Sequence, residues 1–161
     1  MRRFACVLVL AACARQPSHT TPSARALPTP SVQVGMCAEP PAGDHADRDL
    51  DDDGRPEIIV TDRAACARVG DDKQNCHWNV YKAGQPGECT RYIGTFDGGG
   101  LEALPQKGDD NMSDVRAYWA QPAGRLLLQS YRFVRGGYQI ADVLQCKYAA
   151  DDRLECAETG R

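Results

Sequence analysis

The sequence is poor in residues suited to catalysis. Only 3 of its 161 residues are histidines, and it contains neither a glycine-rich phosphate loop nor a serine in a nucleophile elbow. Its formal net charge of −3 is small, so the composition gives no reason to expect a nucleic-acid partner. These absences predict a protein that is not an enzyme and that acts by binding or as a structural part.

Long apolar runs are also scarce. The run from Phe4 to Leu10 follows a basic start and is too short to span a bilayer, which is typical of a secretory signal. It leads into residues 10–13, which read LAAC. That tetrapeptide resembles the bacterial lipobox, in which the signal is cut just before the cysteine and the cysteine takes lipid.

The lipobox resemblance implies a signal peptide over residues 1–12 and lipidation of Cys13. The next residue, Ala14, is not the aspartate that favours retention in the inner membrane. We therefore expect an outer-membrane lipid anchor in a bacterial cell envelope, with the protein facing the periplasm or the cell surface. Several acyl chains would anchor it stably, because each buried methylene contributes about 0.8 kcal/mol. The alternative is ordinary signal cleavage with a free Cys13.

Large apolar residues are nearly absent from residues 14–36, which are dense in proline, serine and threonine. Such a segment cannot bury enough apolar surface to offset the entropy lost on ordering. We expect residues 13–36 to form a lipidated, disordered tether. Residues 37–161 then form a single β-rich, calcium-binding domain.

Six cysteines remain in this domain, and no two of them form the Cys-x-x-Cys pair of a zinc site. In an exported protein an even number of cysteines predicts disulfides. Segments 146–156 and 66–76 each contain a central turn that would bring their terminal cysteines together, which leaves one further pair. The three predicted bridges are Cys146–Cys156, Cys66–Cys76 and Cys37–Cys89.

Sequence periodicity favours strands over helices. Residues 76–81 alternate in hydrophobicity, and no helical period extends beyond about ten residues. We predict a mostly β fold, in which an antiparallel meander forms a small, disulfide-stapled sandwich or half barrel. Residues 61–69 and 112–120 remain open to a helical alternative.

The clearest hairpin in the sequence spans residues 126–144. Gly136 and Gly137 lie near its middle and permit the positive φ angles of a type I′ turn. A turn centred on these two glycines would set Phe133 opposite Ile140.

Acidic residues crowd residues 49–60, DLDDDGRPEIIV, immediately before a β-branched run. Calcium takes about six to eight oxygens, and alternating acids supply them where a glycine lets the chain turn sharply around the ion. A frame that starts at Asp47 would put Asp52 where the glycine is needed. With Gly54 at position six, the ligands at positions one, three, five, seven and nine are Asp49, Asp51, Asp53, the Arg55 carbonyl and Glu57.

This loop differs from an EF-hand, because position twelve is Val60 and Pro56 opposes a helix. Its pattern resembles the calcium loop of the integrin-type FG-GAP/VCBS repeat, in which Asp-x-Asp-x-Asp-Gly-x-x-Asp precedes a strand. The resemblance implies Ca²⁺ as a cofactor, held by the same five residues, with Glu57 replacing the usual aspartate. The flanking Phe-Gly and Gly-Ala-Pro signatures and a second copy of the loop are missing, so we expect one metal site and not a propeller. The alternative is a solvated acidic turn.

The sequence as a whole predicts a calcium-stabilised envelope lipoprotein with a binding or structural role. Its expected partners are the membrane, through the lipid anchor, and an unknown protein or glycan. The runner-up is a small secreted inhibitor or a carbohydrate-binding module, since aromatic residues such as Trp119 could line a sugar-binding surface. An uncharacterised hydrolase is the third reading.

Overall fold

The computed structural model describes residues 33–70 and 73–159. The predicted signal peptide and Cys13 lie outside the described residues, as do residues 14–32 of the predicted tether. Among the residues that are described, no helix has both the length and the apolar character needed to cross a membrane.

The described part of the chain contains ten strands and three short 3₁₀ turns, which loops connect. The first five strands are β1 (Asp44–His45), β2 (Ile58–Thr61), β3 (Ala67–Val69), β4 (Lys73–Lys82) and β5 (Arg91–Gly98). The last five are β6 (Gly100–Lys107), β7 (Ser113–Gln121), β8 (Arg125–Val134), β9 (Gly137–Tyr148) and β10 (Leu154–Glu158). The 3₁₀ turns are Arg63–Ala65, Asp109–Asn111 and Pro122–Gly124.

The strands form two five-stranded antiparallel sheets. In the first sheet the order is β1-β2-β4-β3, and β5 also pairs with β4. In the second sheet the order is β10-β9-β8-β7-β6. Strand β5 packs against β7 and β9, so the two sheets face each other. This arrangement confirms the predicted mostly β, sandwich-like fold.

The core lies between the two sheets and is rich in aromatic side chains. Alternation along β4 places Trp78 and Val80 on the buried face, and they are 6% and 0% exposed. The ring of Phe96 meets those of Tyr131 and Tyr138 edge-on, at centroid distances of 5.1 and 4.8 Å. Such pairs add about 0.5–1.5 kcal/mol beyond the burial of their area. Both tyrosines therefore belong to the core.

Three disulfides staple the fold, and they link the pairs expected from the cysteine spacing. Cys146–Cys156 connects opposed residues of β9 and β10. Cys66–Cys76 closes the hairpin of β3 and β4, and Cys37–Cys89 ties the N-terminal segment to the segment before β5. Every residue of β10 is exposed, so this strand depends on its ladder and its bridge more than on packing.

The turn of the β8–β9 hairpin lies one residue earlier than predicted. Its central residues are Arg135 and Gly136, with φ angles of 53° and 84°. Gly137 belongs to β9, where it lies opposite Val134. The prediction that Gly136 and Gly137 form the turn is therefore wrong.

This shift changes which side chains face each other across the hairpin. Phe133 lies opposite Tyr138 and not opposite Ile140. Packing is consistent with this register, because a Cβ at position 137 would clash with Val34 Cγ1 and lie 3.2 Å from the Ile93 carbonyl oxygen. The second glycine is thus needed for space in the strand, and the first for the turn.

Neither segment that left a helical alternative forms an α-helix. Residues 61–69 contain the 3₁₀ turn Arg63–Ala65 followed by β3, and residues 112–120 lie almost entirely in β7. In β7 the alternating residues Val115 and Ala117 are 2% and 0% exposed and face the core.

Candidate metal centre

The acidic segment forms a loop between β1 and β2 that its own backbone closes. At the neck, Glu57 N lies 2.7 Å from the Arg48 carbonyl oxygen and Arg48 N lies 3.2 Å from that of Glu57. Leu50, inside the loop, is 0% exposed and packs in the main core. Gly54 has a φ of 83°, which glycine adopts without steric cost. The neck and the Leu50 anchor hold the acids between them in a small volume.

Three carboxylates of the loop come together. Ligand oxygens of Asp49, Asp51 and Glu57 all lie within 4.8 Å of one another. Two oxygens that bind one Ca²⁺ at about 2.4 Å are at most about 4.8 Å apart. The observed separations therefore fit a shared ion, and these acids are the predicted ligands at positions one, three and nine.

Backbone amides of the loop orient these carboxylates. The three hydrogen bonds run from Gly54 N to Asp49 Oδ2 (2.9 Å), from Asp53 N to Asp51 Oδ1 (3.2 Å) and from Leu50 N to Glu57 Oε2 (2.8 Å). Each acid is thus held by the loop itself, so the loop needs little reorganisation to present oxygens to a cation.

Asp53, the predicted ligand at position five, lies outside this group. Its carboxylate accepts a hydrogen bond from Arg55 N at 2.8 Å and one from the Arg55 guanidinium, also at 2.8 Å. These bonds to Arg55 lower the pKa of Asp53. The described contacts do not bring Asp53 or the Arg55 carbonyl oxygen to the other three acids. Their role as calcium ligands therefore stays a prediction.

Glu57 is the most buried acid of the loop, with 2% of its surface exposed. Burial raises its pKa to about 7, and the neighbouring charge of Asp51 adds to the increase while the Leu50 N–H opposes it. A carboxylate in this position is costly near neutral pH unless a cation stands close to it.

Lys82, at the end of β4, supplies one positive charge to the group. Its Nζ lies 2.5 Å from Asp51 Oδ2, and the Asp51 side chain is only 7% exposed. One ammonium faces three carboxylates, so the group keeps an excess of negative charge. No local sequence signal identifies Lys82; the pairing of β2 with β4, in which Ile58 lies opposite Tyr81, brings it there.

Lys107, at the end of β6, fixes the outer side of the loop and was also missed by sequence reasoning. Its Nζ contacts Asp52 Oδ2 and Ser113 Oγ, both at 2.8 Å, and the Leu50 carbonyl oxygen at 3.3 Å. Asp52 points outward, with 69% of its side chain exposed. An ammonium bound to three acceptors is a charged donor, so it does not activate Ser113 as a nucleophile.

Asp47, the start of the alternative frame, does not join the group of three acids. Its Oδ1 accepts a hydrogen bond from Ile59 N at 2.9 Å and lies 3.1 Å from His45 Nδ1. Asp47 therefore helps to attach β2 to the segment after β1. The frame that counts from Asp49 is the one whose first acid reaches the group.

His77 lies on β4 beside the opposed residue of β5. Its Nδ1 hydrogen-bonds Asp97, and its ring packs at 5.7 Å from the ring of Trp119. Asp97 N donates to the hydroxyl of Tyr131 at 3.0 Å. Hydrogen bonding and packing account for this histidine, and the described contacts place no nucleophile beside it.

No protein-family model, no curated protein and no solved structure matches this chain. The acidic group is therefore interpreted from its own geometry and chemistry.

Proposed function

We propose that this chain is a calcium-binding lipoprotein of the bacterial cell envelope, with a binding or structural role and no catalytic one. The observation that carries the proposal is the convergence of Asp49, Asp51 and Glu57 within 4.8 Å. The LAAC motif supports the lipid anchor, and three disulfides are compatible with a location outside the cytoplasm.

The donors of the group favour calcium over zinc or copper. All three side chains offer carboxylate oxygen, which suits hard cations, and neither histidine nor cysteine takes part. Three carboxylates and the Lys82 ammonium leave two negative charges, which a divalent cation would neutralise. The ion would also relieve the cost of burying the charged Glu57.

The location of the group suits a structural ion. The loop that carries it connects β1 to β2, contacts β4 through Lys82 and anchors Leu50 in the core between the sheets. An ion at this point would fasten the loop where both sheets meet, so its main effect would be on stability.

Thermal unfolding of the full-length chain in calcium and in a chelator tests this proposal. At 100 times its Kd, calcium adds about 2.7 kcal/mol to the free energy of unfolding, which for a domain of this size raises Tm by roughly 10 °C. Asp49→Asn is expected to remove most of this increment. Asp52→Asn, in the same loop but pointing outward, should retain it.

Two outcomes would contradict the metal site. One is an equal Tm of the wild-type protein in calcium and in chelator. The other is an equal loss of the calcium increment in Asp49→Asn and Asp52→Asn, which would indicate a general response to loop charge.

A further inference from the structure

A cleft lies at the hairpin of β3 and β4 and shares no residue with the acidic loop. The cleft has a volume of about 340 Å³, and three of its lining residues are cationic: Arg63, Arg68 and Lys73. Its remaining walls include Gln74, Trp78 and Gly99. Clefts of this size hold small ligands or the head of a larger one.

The hairpin ladder and its disulfide fix the positions of these walls. Arg68 lies opposite Gln74, and the Cys66–Cys76 bridge lies two residues away along each strand, on the same face. Trp78 follows on that face, with its Nε1 donating to the Gly98 carbonyl oxygen at 3.0 Å.

Two further elements complete the cleft. Arg63 begins the 3₁₀ turn Arg63–Ala65, whose N-cap Asp62 accepts a hydrogen bond from Ala64 N at 2.9 Å. Gly99 packs so closely that a Cβ there would lie 2.3 Å from the Gln74 carbonyl oxygen. The cleft is thus bounded by the 3₁₀ turn Arg63–Ala65, by the disulfide-linked hairpin of β3 and β4, and by the connection between β5 and β6 at Gly99.

The charge of the cleft is opposite to that of the chain. The whole sequence has a formal net charge of −3, yet the described lining holds three cations and no acid. The ion pair of Arg63 with Asp44 spans 3.6 Å, and both side chains are more than half exposed, so it contributes little. Among the described residues, Arg68 and Lys73 make no ion pair.

We propose that this cleft binds a phosphate group. A phosphomonoester carries about −1.5 to −2 charges at neutral pH, which matches three cations better than a single carboxylate does. The guanidinium fork of arginine fits phosphate oxygens in a bidentate manner, and lysine adds a point charge. The phosphate belongs either to a soluble organic phosphate or to a lipid headgroup, and both present the same oxygens.

Calorimetric titration of the full-length chain tests the cleft with two probes. The first is inorganic phosphate. The second is phosphatidylcholine vesicles doped with phosphatidic acid, measured against vesicles of phosphatidylcholine alone so that insertion of a lipid anchor cancels. Both titrations contain chelator, because the proposal does not depend on the calcium site.

We expect saturable binding that weakens as salt rises, since exposed charges are screened. Arg68→Ala should lower the affinity at least about tenfold, as expected for a lost charged hydrogen bond. Arg68→Lys should restore only part of it. Arg153→Ala removes an equal charge from the turn between β9 and β10 in the second sheet and should leave binding unchanged.

Asp71 and Asp72 precede Lys73 in the sequence and lie outside the described residues. Their joint replacement by asparagine removes two negative charges next to Lys73 in the sequence, so the affinity for phosphate should hold or rise. A loss of binding in this double variant would contradict a site that acts through its cations.

The outcomes separate the two sources of phosphate. Binding of inorganic phosphate supports a soluble ligand, and binding of phosphatidic acid vesicles alone supports a headgroup. The proposal is overturned if neither probe binds saturably, or if Arg68→Ala and Arg153→Ala change the affinity equally. Thermal melts check that each variant is folded, and Lys73→Ala replaces Arg68→Ala if the latter unfolds.

Discussion

At the scale of single residues, Glu57 has a buried carboxylate that accepts a hydrogen bond from the backbone N–H of Leu50. It lies at the neck of the loop, beside Arg48, and is 2% exposed. Its pKa rises from 4.5 to about 7 because burial penalises the charged form. Without a cation, the folded protein therefore holds a proton on Glu57 in a pH range where the unfolded chain has released it.

This difference predicts how pH affects the calcium-free protein. Between about pH 4.5 and 7 the folded state binds more protons than the unfolded state, so the free energy of unfolding falls as pH rises. The total loss is roughly 3 kcal/mol. In Glu57→Gln the amide cannot ionise and its oxygen can still accept from Leu50 N. Urea unfolding in chelator should show this variant to be more stable than wild type at about pH 8.

Calcium should reduce or remove that difference, because a neutral amide is a weaker ligand for the ion than a carboxylate. Glu102→Gln, in β6 and away from the loop, serves as a charge-matched control that should keep the wild-type slope. If Glu57→Gln had the same pH slope as wild type in chelator, Glu57 would not be the group that titrates.

The acids of the loop could be predicted from the sequence, and their partners could not. The spacing of Asp49, Asp51 and Glu57 around a glycine is local, so about a dozen consecutive residues are enough to recognise it. Lys82 and Lys107 reach the loop only after β4 and β6 take their places in two different sheets. Nothing near either lysine in the sequence carries that information.

At the scale of elements, the β8–β9 hairpin shows how packing decides between two local signals. Two consecutive glycines permit a tight turn at either of two registers. A Cβ at position 137 would clash with Val34 Cγ1 and lie 3.2 Å from the Ile93 carbonyl oxygen, and these contacts favour the register with Gly137 in the strand and Arg135 in the turn. Those contacts come from the N-terminal segment and β5, which a reading of the hairpin sequence does not include.

The observed turn makes Arg135 a site for stabilisation. Its φ of 53° is unfavourable for arginine, whereas asparagine is favoured at the first central position of a type I′ turn. The backbone hydrogen bond from Arg135 N to Asp109 Oδ2, 2.9 Å long, does not need the arginine side chain. Arg135→Asn should therefore raise the free energy of unfolding by roughly 0.5–1 kcal/mol, measured by urea unfolding.

Arg125→Asn is the matched control for this prediction. Arg125 begins β8 with an extended backbone, φ −82° and ψ 155°, where asparagine has no advantage. Destabilisation by Arg135→Asn, or an equal gain in both variants, would argue against a turn formed by Arg135 and Gly136.

At the scale of the whole molecule, the acidic loop is a junction between the two sheets. The Leu50 carbonyl oxygen accepts from Ser113 N of β7 at 2.6 Å, and Asn111 Nδ2 donates to the Asp51 carbonyl oxygen at 2.8 Å. Lys82 of the first sheet donates to the carboxylate of Asp51. An ion bound here would act on the contact between the sheets, which is why we expect its effect to be global.

The disulfide pairing is the feature of the global fold that the sequence predicts most directly. Cys66 and Cys76, like Cys146 and Cys156, are each 10 residues apart, a distance that a two-stranded hairpin closes without help from the rest of the chain. The sequence does not decide between a sandwich and a half barrel, because that choice depends on β5 packing against β7 and β9 across the core.

Attachment of the whole protein to a membrane is testable at Cys13. Metabolic labelling with a tagged palmitate should mark the wild-type chain, and Cys13→Ser should lose the label because it lacks the thiol that the lipobox resemblance designates. Cys6→Ser is the matched control: it lies within the predicted signal peptide, so removal of that segment leaves the label unchanged. Label retained by Cys13→Ser would exclude Cys13 as the anchor.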